Sequence, residues 1–232
     1  MRLTKAYDRC VIIFAFALAA CGPSQPNNTD SSSVIYITDD VPAGLDYDGA
    51  ASTISNSQEG IVNLMDPLID YAPGETTEEG VGLLNFTSFE GRLAESWSFD
   101  EATLTWTFNL RRGVKSCVGN ELTADDVIYT FARAKSVSGP APTGWFLANV
   151  ASIESFDATV LADENLRRLG DEVKKIDDYT VEIRQSTHNQ LFLPALTTFA
   201  IRIFDSVEAR KHSTPSDPWS HDYINNVTVP AF

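Results

Sequence analysis

The clearest pattern in the chain is the alternation in "TLTWTFNLRRGV", residues 103–114: Leu104, Trp106, Phe108 and Leu110 fall on one face, and Thr105, Thr107, Asn109 and Arg111 on the other. A side-chain period of two predicts a half-buried β-strand with its apolar set turned to a core. Just upstream, Trp97 and Phe99 alternate in the same way, and Asp100-Glu101 mark a turn, so Trp97 to Val114 reads as a hairpin. Thr123 stands three residues before Asp126 and directly ahead of the apolar Val127, Ile128 and Phe131, a capping-box-like helix start. Asp125 and Asp126 then have a structural use beside the helix dipole, which argues against a catalytic carboxylate pair. Ile61, Leu64, Met65, Leu68 and Ile69 recur at helical spacing, and Pro67 predicts a helix end near Met65. "VIYITDD", residues 34–40, is a short β-branched run leading to Pro42, which predicts a strand running out into a loop. From Val34 onward the body therefore reads as mixed α/β (α+β).

The chain before Val34 has a different pattern. Arg2, Lys5 and Arg9 form a basic start, Val11 to Ala20 a short apolar run, and "LAA" leads into Cys21. Ten apolar residues suit a signal-peptide core and are too few to span a bilayer as a helix. "LAAC" resembles a bacterial lipobox, whose cysteine becomes the lipidated first residue of the mature protein. Residues 1–20 are thus expected to be a signal peptide, and residues 21–33, with "GPSQPNNTDSSS" after Cys21, a lipidated cysteine and flexible linker.

Composition narrows the functional classes. A chain of 232 residues that is 43% hydrophobic can bury a sizeable core, and its net charge of −15 repels phosphate backbones. The doublets Arg111-Arg112 and Arg167-Arg168 are too short to form a basic patch, so they read as framework charges paired with the abundant carboxylates, and no nucleic-acid partner is expected. Cys117, His188, His212 and His221 show no metal-ligand spacing, and no metal or cofactor is expected. With Cys10 discarded and Cys21 acylated, Cys117 is left as an odd thiol. No Gly-x-Ser-x-Gly, His-Glu-x-x-His or Cys/His constellation appears, so an exported hydrolase is disfavoured.

Three motifs in order, "LAESW", "WTFNLRRGVK" and, after Gly119, "LTADDVIYTFARA", resemble the signature region of the family 5 extracellular solute-binding proteins, the peptide receptors of bacterial ABC importers. "VKKIDDYTVEIRQ" and "LFLPALTTFAIRIF" look like that family's next strand and the helix after it. Two local departures stand out: Ser116-Cys117-Val118-Gly119 replaces a pattern with histidine, and Gly91-Arg92 stands where proline precedes "LAESW", a difference that reads as neutral.

The resemblance implies a periplasmic-binding-protein-like type II fold, of which this chain would be the first lobe, with the second lobe missing. Residues 34–50 plus 171–232 would form the core subdomain, and residues 51–170 an inserted scaffold subdomain carrying the hairpin. The function implied is capture of a peptide or other small solute between two lobes and delivery to the permease and ATPase subunits of an importer. Localisation would be exported, with a lipid anchor holding the protein to the membrane at the cell envelope; a solute-sensing receptor on the same fold is the alternative. Asp46 and Tyr47, on the loop after the first strand, and Trp145 and Phe146, in "TGWF", are the first-lobe candidates for ligand contact. A single wall of such a cleft would hold a transport ligand weakly.

Overall fold

The computed structural model describes residues 44–48, 55–78, 80–137, 142–153 and 172–232. The expected strand at Val34, the leader, Cys21 and its linker, and the Arg167-Arg168 doublet lie outside the described residues.

Helix α1 spans Ser55–Leu64, ending at the point Pro67 dictates. Ile61 and Met65 are buried, whereas Leu64 is exposed. Leu68 and Ile69 are buried too, but on the chain that enters strand β1, Ile69–Thr76, rather than on the helix. Strand β2, Gly82–Gly91, pairs antiparallel with β1 in a two-stranded ribbon with two register shifts. At its outer end Val81, Leu83, Leu84 and Phe86 are exposed.

The main sheet is built from two hairpins. Strand β3, Ala94–Asp100, pairs antiparallel with β4, Thr105–Leu110, matching Trp97 with Phe108 and Phe99 with Trp106. The Asp100 carboxylate closes the turn, accepting from the Ala102 amide at 2.9 Å and the Thr103 hydroxyl at 2.9 Å. Leu104 is not the first residue of the strand's apolar face: it sits in the turn with φ of 54°, a left-handed value that L-residues seldom adopt. The stretch expected as one further strand is itself a hairpin of β5, Val173–Asp177, and β6, Thr180–Arg184. The Asp177 carboxylate accepts from the Tyr179 amide at 2.8 Å and turns the chain.

Strand β6 also pairs antiparallel with β4, so the sheet order is β3-β4-β6-β5. Residues assigned to separate subdomains on either side of 170/171 share one ladder, and Val41–Phe232 forms one compact unit.

Helix α2, Ala124–Val137, packs on β5 and β6 over Phe108, Leu110, Val173, Val181 and Ile183, all buried. Its start is the expected one, with the roles within the cap reversed. The Asp126 carboxylate accepts from the Thr123 amide at 2.8 Å and the Thr123 hydroxyl, and on its other side from the Ser206 amide and hydroxyl. One buried carboxyl thus closes α2 and pins the Phe204–Ser206 segment to it; burial raises its pKa against those hydrogen bonds. Helix α3, Pro142–Asn149, lies against α2. The short helices α4, Phe192–Leu196, α5, Ser206–Lys211, and α6, His221–Asn226, complete the body. Asp205 caps α5 by accepting from the Glu208 amide at 2.9 Å.

The arginine doublet closing β4 makes backbone and ring contacts, and the Arg112 charge also acts on the Glu121 and Asp177 carboxylates. Arg111 donates to the carbonyls of Arg92 at 2.6 Å and Gly91 at 3.0 Å, and Arg112 stacks over the Tyr179 ring at 4.0 Å. Gly91 is also more than a neutral replacement. A Cβ there would lie 2.2 Å from the Ala94 carbonyl oxygen, so the β2–β3 junction closes only around glycine.

Candidate functional site

Arg133 lies on α2 inside a run of residues buried on nearly every side, and its guanidinium has no exposed surface. A charge so placed requires partners with good geometry. Its Nη1 donates to Asp46 at 2.7 Å and to Asp48 at 2.6 Å, its Nη2 to the second Asp46 oxygen, and its Nε to the Trp219 carbonyl at 3.0 Å. His221, at the start of α6 and partly exposed, brings Nδ1 within 2.5 Å of Asp46. One helix thereby holds both the Asp46–Asp48 loop and α6.

The protonation of this cluster follows from sharing one cation between two carboxylates. Burial alone would raise Asp46, but Arg133 and His221 outweigh it and hold that pKa at about 2. For Asp48 burial wins over Arg133, helped by the neighbouring Asp46 charge, and the pKa rises to about 7. Arg133 itself is disfavoured by burial, yet its two carboxylates raise its pKa further. The Asp46 hydrogen bond raises that of His221.

These contacts also define what the sequence candidates do. Asp46 and Tyr47 have no exposed surface, and their side chains are spent within the lobe. Tyr47 stacks on Phe204 at 5.0 Å between ring centroids, and its hydroxyl donates to the Arg202 carbonyl. Phe146 is half-buried against the core on α3, whose Thr143 hydroxyl donates to the Tyr47 carbonyl at 3.3 Å. Trp145 occupies the same helix. The structure thus links the Asp46–Tyr47 loop to α3.

A cavity of about 510 Å³ opens elsewhere, between α1, the β1–β2 ribbon and the segment after α4. Glu59, Asp70, Tyr71, Phe86, Phe199 and Arg202 line it. Asp46, Tyr47 and Phe146 are not among its lining residues, but the Tyr47 hydroxyl holds the backbone carbonyl of Arg202, which is one. Tyr71 meets Phe86 edge-on at 5.1 Å and stacks on Phe89 at 5.2 Å, so the wall is aromatic. Only Arg202 could have been noticed beforehand, as a cation inside the apolar run "FAIRIF". Among the described residues no group of acids, histidines or cysteines is placed to hold a metal ion.

The chain is thus a mixed α/β body with a four-stranded antiparallel sheet and a separate cavity between α1 and the β1–β2 ribbon. The family described as "Bacterial extracellular solute-binding proteins, family 5 Middle" matches residues 88–224, more than half the chain, and the chain belongs to that family. Among curated relatives, Di/tripeptide-binding protein 4 of Pseudomonas aeruginosa (strain UCBPP-PA14) is 32% identical over 73% of this chain and 28% of its own length. The periplasmic oligopeptide-binding protein OppA of Escherichia coli (strain K12) is 28% identical over 66% of this chain and 28% of its own length. Heme-binding protein A of Haemophilus influenzae is 26% identical, over 82% and 34% respectively.

In fold, the chain resembles H. influenzae OppA in complex with RPPGFSPFR, with a TM-score of 0.55 at 18% identity over 79% of this chain and 31% of that one. It also resembles the E. coli murein tripeptide-binding protein MppA, with a TM-score of 0.53 at 22% identity over 76% and 32%. The architecture is that of the type II periplasmic binding proteins, and the chain spans about three-tenths of the length of these relatives. No helix among the described residues is long and apolar enough to cross a membrane.

Proposed function

We propose that this chain is the first-lobe portion of the substrate-binding lipoprotein of an ABC importer, which captures short peptides and delivers them to its permease and ATPase subunits. The family match across the sheet, α2 and α5 carries this reading, and the peptide-binding names of the relatives favour peptide over other solutes. Anchoring would be at Cys21, supported by the basic start, the ten-residue apolar run and "LAAC". Two acyl chains on that cysteine would give stable attachment where one is marginal.

The test is deletion of the gene in a leucine auxotroph of the source bacterium. Growth on leucyl dipeptides should be lost while growth on free leucine persists through other carriers. Undiminished growth on the dipeptides would overturn peptide import. Mass spectrometry of the mature N-terminus should find diacylglyceryl-Cys21 without residues 1–20; an unmodified Cys21 in an intact precursor would remove the anchor.

A further inference from the structure

Arg202 is only 4% exposed, yet it is poorly matched. Its Nη1 and Nη2 reach the Met65 and Thr197 carbonyls at 3.4 and 3.3 Å, long for charge-assisted bonds, and its buried Nε has no hydrogen-bond partner. Among the described residues no carboxylate lies within ion-pair distance of it. This contrasts with Arg133, on which two carboxylates converge. A buried cation costs free energy unless a counter-charge meets it, and burial accordingly lowers the Arg202 pKa, with Asp70 the foremost opposing influence. Arg202 lines the same cavity as Asp70 and Glu59, and Tyr71, Phe86 and Phe199 supply apolar surface. A simple anion would neutralise Arg202 but be repelled by the two acids; a simple cation would meet the acids but leave Arg202 unmatched. The volume is in the range that holds small ligands.

We propose that the cavity between α1, the β1–β2 ribbon and Arg202 is a binding site for a small zwitterion with an apolar side chain, an α-amino acid or a unit of that size. Its carboxylate pairs with Arg202, its ammonium faces Asp70 and Glu59, and its side chain lies on Tyr71 and Phe86. The inference rests on the solute-binding reading and narrows it to ligands whose two charges are both free.

The experiment titrates the full chain with three probes, L-phenylalanine, phenylacetate and phenethylamine, following aromatic and arginine Nε signals by NMR. L-Phenylalanine should bind roughly tenfold or more tightly than either single-charge probe, since each lacks one charge-assisted contact. Arg202→Gln should bring L-phenylalanine down to the level of phenethylamine, and Asp70→Asn should weaken L-phenylalanine while leaving phenylacetate no weaker. Phenethylamine binding as well as L-phenylalanine, or no saturable shift with any probe, would overturn the proposal. The three-probe comparison on the unsubstituted chain decides this even if Arg202→Gln folds poorly. Loss of dipeptide growth with no probe binding would sink this site and leave peptide import standing; probe binding with intact growth would do the reverse.

Discussion

Arg133 ties together three separate parts of the chain, because the Asp46–Asp48 loop, the Trp219 carbonyl and, through Asp46, His221 all converge on it. Arg133→Met keeps much of the side-chain volume but leaves two carboxylates buried together. Urea unfolding should show a loss of about 3–5 kcal/mol, the scale for breaking a buried ion pair. A loss under about 1 kcal/mol would mean that water reaches the cluster. The same residues set a pH dependence. Asp48 and His221 both have folded pKa values raised above their ordinary 3.8 and 6.5, so between pH 5 and 8 the folded state binds more protons than the unfolded one. Stability should therefore fall as pH rises, the Asp48 contribution being lost between its ordinary 3.8 and about 7 and the His221 contribution above its ordinary 6.5. Asp126, raised by burial, acts in the same direction, whereas Asp46, lowered to about 2, withdraws stability only in strong acid. Urea midpoints should decline from pH 5 to pH 8, with His221→Gln flattening the upper part; a midpoint that climbs would contradict the assignment.

Among the elements, the β3–β4 hairpin offers a direct comparison between neighbouring leucines. Leu110 is buried at the end of β4, and Leu110→Ala should cost about 2–5 kcal/mol. Leu104 has the same place in the alternation but occupies a left-handed turn, where glycine carries no Cβ penalty, so Leu104→Gly should change stability by less than about 1 kcal/mol. Thermal melts of the two variants should separate clearly; equal losses would put Leu104 back in the core.

The hairpin was legible because Trp97 to Leu110 faces a core on one side only, and burial on one side is what writes a period of two into a sequence. The α1 end and the α2 cap were legible because proline and a Thr-x-x-Asp spacing act locally. The β1–β2 ribbon was not: much of β2 is exposed on both faces, so "GLLNFTSFEG" has no buried side to alternate against. The Arg133 cluster stayed hidden for the opposite reason. A helix buried almost all round has no polar face to set a cation apart, and its partners lie some 85 residues away along the chain. Asp46 and Tyr47 were candidates for ligand contact from their place on a loop, and a loop position in a sequence does not tell a buried anchor from an exposed contact; both are buried.

At the scale of the whole molecule, the order β3-β4-β6-β5 means that two locally formed hairpins meet along one central ladder, β4 with β6. Each outer pair closes a turn of a few residues, whereas the central pair brings Asn109 opposite Thr180 and encloses α2 and α3 in between. Folding should therefore have a clear order in time. The hairpins form on the microsecond scale, and the slower step is their meeting, which pays the entropy of closing a loop of roughly seventy residues before its contacts return anything. Stopped-flow refolding should find Val181→Ala, which thins the β4–β6 seam opposite Phe108, slowing folding; Phe99→Ala, at the far edge, should chiefly speed unfolding. Because closure entropy grows only with the logarithm of length, the connection between the hairpins can change in size at little cost. Doubling it would add only about 0.6 kcal/mol. The seam therefore sets how fast this lobe assembles, while residues added to the connection outside α2 and α3 would change its closure little.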